Sequence, residues 1–277
     1  MRHRYRRWRE IWDHSAVGRL VGHGSEVELM HRSLGFAALG YVALLPLLVL
    51  VAALDPTGAH DFPQWVIDGM GLNARPARSV QDVFSTPHIV ISTTNALSAA
   101  ILVFFGLSFA ASVQAGYSRI WGLSISPWHK LWRQTVWLTG LTAYLYVVAN
   151  SSVVLRDGLW QGLARGALVL LLGLAFFWWG QSLLLGGKVP ARQLLPGAVA
   201  TMIGLVGLRW FSHWVFSPLV ASNAVTYGPV GTVLIVVSWL VGVGYVVLGG
   251  TLLGRHVSSW LGHHHFRWHP TPRPWHQ

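Results

Sequence analysis

Six long stretches of this 277-residue chain carry almost no charged residues, and they limit the folds that are open to it. They lie at residues 34–54, 89–112, 131–155, 163–186, 195–219 and 229–254. About 20 helical residues cross the roughly 30 Å hydrocarbon layer of a bilayer. The stretches are longer than barrel strands of about 10 residues and lack their alternation. They predict an all-α, polytopic membrane protein with six transmembrane helices.

The composition also indicates a membrane protein. Only 10% of the residues are charged and 53% are hydrophobic, whereas about a quarter of the residues in soluble proteins are charged. The chain has no cysteine, which excludes disulfides, thiolate metal sites and cysteine nucleophiles.

The two ends differ from the middle and define three regions. Residues 1–32 alternate arginine clusters with tryptophan and aliphatic residues, a pattern that predicts an N-terminal amphipathic helix lying at the interface and binding anionic lipid headgroups. Such a segment could also bind RNA, but its position before a first span favours lipid, and no specific nucleic acid partner is expected. Residues 33–256 form the membrane domain.

Residues 257–277 form a histidine- and proline-rich tail that we expect to be flexible. Histidine tracts can bind metal. The tail has no acids, cysteines or spaced partners, so we expect no structural metal site there.

The distribution of Lys and Arg predicts the orientation. The segments up to Arg32, at 113–133, at 187–194 and after 254 hold seven, three, two and three of them, against four in the intervening connections and one, Arg209, inside a span. The positive-inside rule therefore predicts cytoplasmic termini in a bacterial inner membrane, with the loop at 55–88 facing outward.

Two of the stretches carry small residues at helical spacing. At about 100° per residue, each set falls on one helix face, and such stripes let helices approach closely within a membrane. The predicted packing residues are Gly162, Gly166, Gly173, Gly180, Gly231, Ser238, Gly242 and Gly249.

Four segments resemble the YihY/BrkB family of bacterial inner-membrane proteins. They are "FAALGYVALLPLLVLVAAL" at 36–54, "YSRIWGL" at 117–123, "GGKVPARQLLPGAVA" at 186–200 and "VTYGPVGTVLIVVSWLVGVGYVVLGGTLLG" at 225–254. The last is the most specific, with Tyr227, Gly228 and Trp239 matching the family pattern. A serine usual before the proline corresponding to Pro46 is absent, and "FWWGQ" replaces a Tyr-Arg pair late in the fourth helix.

The resemblance implies a six-helix architecture and a role in the cell envelope, including movement of lipids or other amphipathic molecules. We expect a protein that assists transport of a lipid or another amphipathic anion. One alternative is a non-transporting scaffold or regulator that binds envelope proteins or forms a homo-oligomer. A second is the ribonuclease activity of an old family label, which is regarded as a misassignment.

No motif of known enzymes is present. We find no His-Glu-x-x-His sequence, P-loop or G-x-S-x-G elbow, and no acidic residue lies within a span. A ribonuclease would need metal-binding acids on the cytoplasmic side, where only Glu10, Asp13, Glu26 and Glu28 are available. We therefore expect no enzymatic activity, no cofactor and no bound metal.

Arg209 is the one cation well inside a stretch, since Arg133 and Arg165 lie near the ends of theirs. An arginine at the centre of a span costs roughly 2.5 to 3.5 kcal/mol on insertion scales. One interpretation is a buried functional role shared with His213, four residues further along the same face. In the other, the span ends early and both residues lie among lipid headgroups, beside Trp210 and Trp214. The sequence leaves both open.

Several other polar residues fall at the same outer level. Together they predict a polar, cationic cavity that binds a phosphate headgroup or another anion. Each alone is better explained as an interhelical hydrogen bond. The candidate substrate-binding residues are Arg209, His213, Asn95, Ser98, Asn150, Arg165 and Tyr227.

Overall fold

The structure, a computed structural model, describes residues 29–53, 70, 96–124, 131–154 and 159–262. Side chains at 45–53, 96–102, 149–154, 159–163, 165, 217, 220–229 and 261–262 fall outside this description. The predicted interfacial helix, most of the 55–88 loop and the histidine-rich tail also lie outside it and stay predictions.

Long helices make up the described part of the chain. They are α1 (Leu29–Ala53), α2 (Ala96–Ile120), α3 (Leu131–Val154), α4 (Leu159–Leu184) and α5 (Ala191–Gly262). The predicted all-helical class is therefore confirmed. Helices suit these residues because a helix satisfies every interior backbone hydrogen bond within one segment, which an apolar solvent requires.

Helix α5 contains two antiparallel limbs. Gly254 packs against the backbone of Gly197, and the Cβ position of Gly204 lies 2.6 Å from Val246 Cγ1. The earlier residue of the first part, Gly197, therefore contacts the later residue of the second part, Gly254, as in two antiparallel helices. The chain must reverse direction between Gly204 and Val246. The first limb is Ala191–Phe216 and the second limb is Val230–Trp260.

Three of the described helices are long and apolar enough to cross a membrane. They are Gly166–Leu184 within α4 and the two limbs of α5. Their outer faces expose large apolar side chains, such as Leu171 at 65% and Ile203 at 68%, which acyl chains can cover. The other three predicted spans stay predictions.

An aromatic ladder joins the first four helices. Phe36 of α1 packs edge-on against Phe109 of α2, with ring centroids 5.0 Å apart. Trp137 of α3 follows at 5.9 Å from Phe109, and Phe176 of α4 at 5.9 Å from Trp137. All four side chains are buried, and aromatic pairs in these geometries add about 0.5–1.5 kcal/mol each beyond burial. The ladder fixes the order of neighbouring helices.

One helix extends beyond its apolar stretch. The second stretch ends at residue 112, but α2 continues to Ile120. Gln114 and Ser118 lie in this extension and are buried. The helix extends beyond the apolar stretch because these polar residues are buried within the bundle.

Candidate functional site

Cationic side chains gather at one end of the helix bundle, which we call the basic end. Nη1 of Arg255 donates to the carbonyl oxygen of Ile120, and Nζ of Lys188 donates to that of Ser124 over 3.2 Å. The guanidinium of Arg133 packs against Gly186. These contacts bring helix ends from α2, α3, α4 and α5 together. The described cations at this end are Arg32, Arg119, Arg133, Lys188, Arg192 and Arg255.

Two of these cations are placed where they stabilise helix ends. The last carbonyl groups of a helix have no partner within it and carry partial negative charge. Arg255 satisfies one such group at the end of α2. Lys188 bonds to a carbonyl just beyond the same end. Their charges are therefore partly used in holding the bundle together.

A cavity of about 320 Å³ opens at this end, and we call it the basic cavity. Arg32 contributes from α1, Gln134 from α3, and the remaining lining comes from α2 and the residues that follow it. The lining residues are Arg32, Ala111, Gln114, Ala115, Ser118, Arg119, Leu123 and Gln134.

Small side chains on α2 create the hollow. Ala111, Ala115 and Ser118 are spaced four and three residues apart, which places them on one helix face. From Ala111 to Arg119 the cavity wall extends about 12 Å along the axis, at about 1.5 Å per residue. The cavity therefore reaches from the end of α2 two turns into the bundle.

Hydrogen-bonded glutamines form the polar wall. Nε2 of Gln134 donates to Oε1 of Gln114 over 2.9 Å. Nε2 of Gln114 in turn donates to the carbonyl oxygen of Leu184 over 2.9 Å. Oγ of Ser118 donates to the carbonyl oxygen of Gln114 over 2.7 Å. This network links α2, α3 and α4 and fixes the glutamine side chains.

The described lining of the basic cavity carries positive charge. Of the described residues that line it, Arg32 and Arg119 are cationic and none is acidic. Indeed, the chain's nine acidic residues all lie outside the described ranges. A cleft lined by one sign of charge concentrates ions of the opposite sign, and guanidinium groups bind phosphate in a bidentate manner. The geometry is suited to an oxyanion.

The structure places two of the predicted substrate-binding residues on the protein surface. Arg209 and His213 are both exposed on the first limb, beside Trp210 and Trp214, which are 69% and 74% exposed. The ring of His213 lies 6.1 Å from that of Trp214, centroid to centroid. Both residues lie within the candidate span Ala191–Phe216, and the two interpretations of Arg209 stay predictions.

Convergence of the outer polar groups stays a prediction. The side chains of Asn95, Ser98, Asn150, Arg165 and Tyr227 lie outside the described ones. Arg209 is 17 residues from Arg192 at the basic end, or about 25 Å along a helix at about 1.5 Å per residue. The basic cavity is therefore a separate site from the one that the sequence predicts.

The glycine stripe of α4 meets its neighbours at two positions. A Cβ at Gly173 would lie 2.7 Å from Met202 Cε, and one at Gly180 would lie 2.8 Å from Trp137 Nε1. A Cβ at Gly166 would meet nothing within 4 Å. Gly162 lies outside the described side chains. Close packing is thus concentrated toward the basic end of α4.

The stripe of the second limb meets neighbours at some of its positions and not at others. A Cβ at Gly242 would lie 3.1 Å from Leu208 Cδ1, but one at Gly249 would meet nothing within 4 Å. Gly231 is buried, whereas Ser238 is exposed and donates to the carbonyl oxygen of Leu234 in its own helix. The close approach lies instead at Gly250 and Gly254, which pack on the first limb.

Buried polar side chains are the feature that the sequence interpretation missed. The candidate residues predicted from the sequence do not include Gln114, Gln134 or Gln181. Gln181 is 0% exposed, and neither polar atom of its side chain has a hydrogen-bond partner among the described residues. Several glutamines in the same halves of neighbouring spans are the signal that could have revealed this polar core.

Within the part of the chain that the structure describes, no group of three His, Cys, Asp or Glu residues could hold a metal ion. The family model described as "Virulence factor BrkB" matches residues 21–259. The chain matches no curated protein and no solved structure.

Proposed function

This chain belongs to the BrkB virulence factor family and is an integral membrane protein, and from that premise we propose that it assists transport of a lipid or another amphipathic anion in the cell envelope. The observation that carries the proposal is the basic cavity. It combines two arginines with buried amides and reaches about two turns into a bundle of apolar helices. A charged headgroup could enter it while acyl chains stay on the apolar outer faces.

The proposal includes an orientation. The basic end holds described cations from the four segments that the positive-inside rule assigns to the cytoplasm. They are Arg32, Arg119, Arg133, Lys188, Arg192 and Arg255. The protein would then reside in the bacterial inner membrane with both termini cytoplasmic. The N-terminal segment at 1–32 would bind anionic headgroups on the same side.

The second part of the proposal concerns the opposite end of the bundle. Arg209 and His213 would hold an anionic headgroup at the outer surface, with the other predicted outer groups around them. Exposure among tryptophans supports headgroup contact, since tryptophan is enriched at membrane interfaces. In this proposal the protein acts without catalysis, cofactor or metal.

Reconstituted vesicles provide the test. A fluorescent anionic phospholipid should cross vesicles containing the protein faster than protein-free vesicles, and Arg209→Gln and Arg119→Gln should each slow it. Arg192→Gln removes an exposed charge at the basic end that does not line the cavity, and it should transport normally. A wild-type rate no higher than that of empty vesicles would refute transport and favour the scaffold alternative.

A further inference from the structure

We propose that a cleft between α4 and the first limb of α5 binds one phospholipid, with an acyl chain between the two helices and the phosphate at Arg209. The cleft lies toward the end of the bundle opposite the basic end and is separate from the basic cavity. The inference rests on the proposed function for its biological meaning, and it deepens that function by giving the lipid a place on the protein. Lipid binding at the cleft can be measured without any transport.

Helix α4 and the first limb are in close contact toward the basic end. A Cβ at Gly197 would lie 3.2 Å from Oε1 of Gln181, and a Cβ at Gly173 would lie 2.7 Å from Cε of Met202. The later residue of α4 thus meets the earlier residue of the first limb. The two helices are therefore antiparallel, and the Gly173–Met202 contact pair lies further from the basic end.

Beyond this contact pair, the facing surfaces of the two helices are open. About one turn further along, the side chains of Leu170 and Val206 are 46% and 41% exposed. Gly166 and Arg209 lie seven residues from the contact pair, which returns each to the same helix face, and both are exposed. A Cβ at Gly166 would meet no atom of the described residues within 4 Å. The helices therefore diverge, and we call the space between these four residues the lateral cleft.

The depth of the lateral cleft suits a lipid whose headgroup lies at the far surface. At about 1.5 Å per residue, Arg209 is roughly 27 Å from Ala191, where the candidate span begins. The hydrocarbon layer is about 30 Å thick, so Arg209 lies close to the boundary between acyl chains and headgroups. The seven residues back to Met202 extend about 10 Å toward the middle of the layer. An acyl chain attached to a phosphate at Arg209 would follow this path.

Hydrocarbon is the occupant that such a space takes in a bilayer. An empty space between helices loses the dispersion contacts of both walls. A water molecule needs two to four polar partners, and the side chains of Leu170 and Val206 offer none. Because lipid tails are as apolar as these walls, an acyl chain gains packing but no hydrophobic driving force. The headgroup must therefore supply the selectivity.

Arg209 supplies the contact for the headgroup. A guanidinium group binds phosphate oxygens in a bidentate manner. Trp210 and Trp214 are 69% and 74% exposed on the same limb, and tryptophan is enriched where headgroups meet acyl chains. Because Arg209 is exposed, its pairing with a phosphate contributes little by itself. Stable binding therefore needs both the cleft and the charge.

The experiment maps where an acyl chain contacts the full protein. Vesicles of phosphatidylcholine contain a small share of phosphatidylglycerol with a photoreactive group in one acyl chain, and labelled residues are identified by mass spectrometry. Leu171 and Phe211 are internal controls, because they are 65% and 54% exposed but lie on faces turned away from the cleft at about 100° per residue. We expect stronger labelling of Leu170 and Val206, although both are less exposed than the controls.

Matched variants test the cleft itself. Gly166→Phe fills it with a ring, and Ala164→Phe places the same ring two positions earlier, on the opposite face of α4. Both positions are exposed, so neither ring enters the core. Gly166→Phe should lower the labelling of Leu170 to that of Leu171, whereas Ala164→Phe should leave it unchanged. Arg209→Gln should lower it about threefold, the loss expected of one exposed charge pair.

Each outcome decides a point. Labelling that follows exposure, strongest at Leu171 and Phe211, would overturn the inference and leave the cleft to bulk lipid. Disulfide formation between two copies of Gly166→Cys would assign the cleft to a second copy of the chain instead. Unchanged labelling in Arg209→Gln would overturn the headgroup contact. Selective labelling without vesicle transport would refute the proposed function alone, and transport with labelling that follows exposure would refute this inference alone.

Discussion

The side-chain amide of Gln134 donates a 2.9 Å hydrogen bond to the amide oxygen of Gln114, and this bond joins α3 to α2 beside the basic cavity. Gln114 also reaches the end of α4. One buried glutamine therefore connects three helices at the basic end. The aromatic ladder connects the same helices by packing, so polar and apolar contacts hold the same arrangement.

Removing the Gln134 amide should destabilise the protein. Gln134→Leu leaves Oε1 of Gln114 buried without its donor, which costs about 1–3 kcal/mol. Thr135→Val is a matched control on the same helix, because Thr135 is exposed and bonds only within its own helix. Thermal unfolding in detergent measures both. Equal midpoints for Gln134→Leu and wild type would show that the hydrogen bond contributes nothing.

The two limbs of α5 should tolerate no side chain at Gly254. A methyl group there would overlap the backbone of Gly197, which cannot move aside as a side chain can. Gly254→Val should therefore reduce the yield of folded, monodisperse protein sharply. Gly249→Ala is the control, since a Cβ at that position meets nothing within 4 Å, and alanine is about 1 kcal/mol better than glycine within a helix. Similar yields of the two variants would contradict the antiparallel contact.

Replacing Gln181 should keep or raise the stability of the protein, in contrast to the two preceding substitutions. Its amide is fully buried and unpaired among the described residues, and a buried polar group without a partner costs about 1–3 kcal/mol. Gln181→Met keeps a similar length without the polar atoms, so its unfolding midpoint should equal or exceed that of wild type. A clear fall in the midpoint would show that the amide makes a stabilising bond.

Orientation can be tested directly because the chain has no cysteine. In intact cells, a membrane-impermeant maleimide should label Asp68→Cys, in the segment predicted to face outward. It should label Arg192→Cys only after the membrane is permeabilised. Labelling of Arg192→Cys in intact cells would reverse the proposed orientation.

The sequence predicts the helices well because the apolar composition of each stretch is itself the signal for a helix. Where the prediction fails, the missing information concerns contacts between different helices. The end of α2 at Ile120 depends on Gln114 finding partners on α3 and α4, and no single stretch shows those partners.

The glycine stripe illustrates the same limit. Helix arithmetic identifies residues that share a face, but it does not say which face meets a neighbour. The second limb packs on two sides: a Cβ at Gly244 would lie 2.9 Å from Phe36 of α1, while Gly250 meets Thr201 of the first limb. At about 100° per residue, Gly249 falls on the face away from both, and a Cβ there would meet nothing within 4 Å.

Candidate sites are harder still to predict. Arg209 attracts attention because it lies well inside an apolar stretch, far from either end. Arg32 and Arg119 are 87 residues apart and look like ordinary loop-proximal cations. Only the packing of α1 against α2 brings them to one cavity.

The most direct test of this account is the rate of anionic lipid transport when the cavity is filled without changing its charge. Ala115→Trp places a large side chain within the basic cavity, and Ala175→Trp places the same side chain on an exposed face of α4. In reconstituted vesicles, we expect Ala115→Trp to reduce the transport rate to that of empty vesicles and Ala175→Trp to retain the wild-type rate. Equal, wild-type rates for both variants would show that lipid does not pass through this cavity.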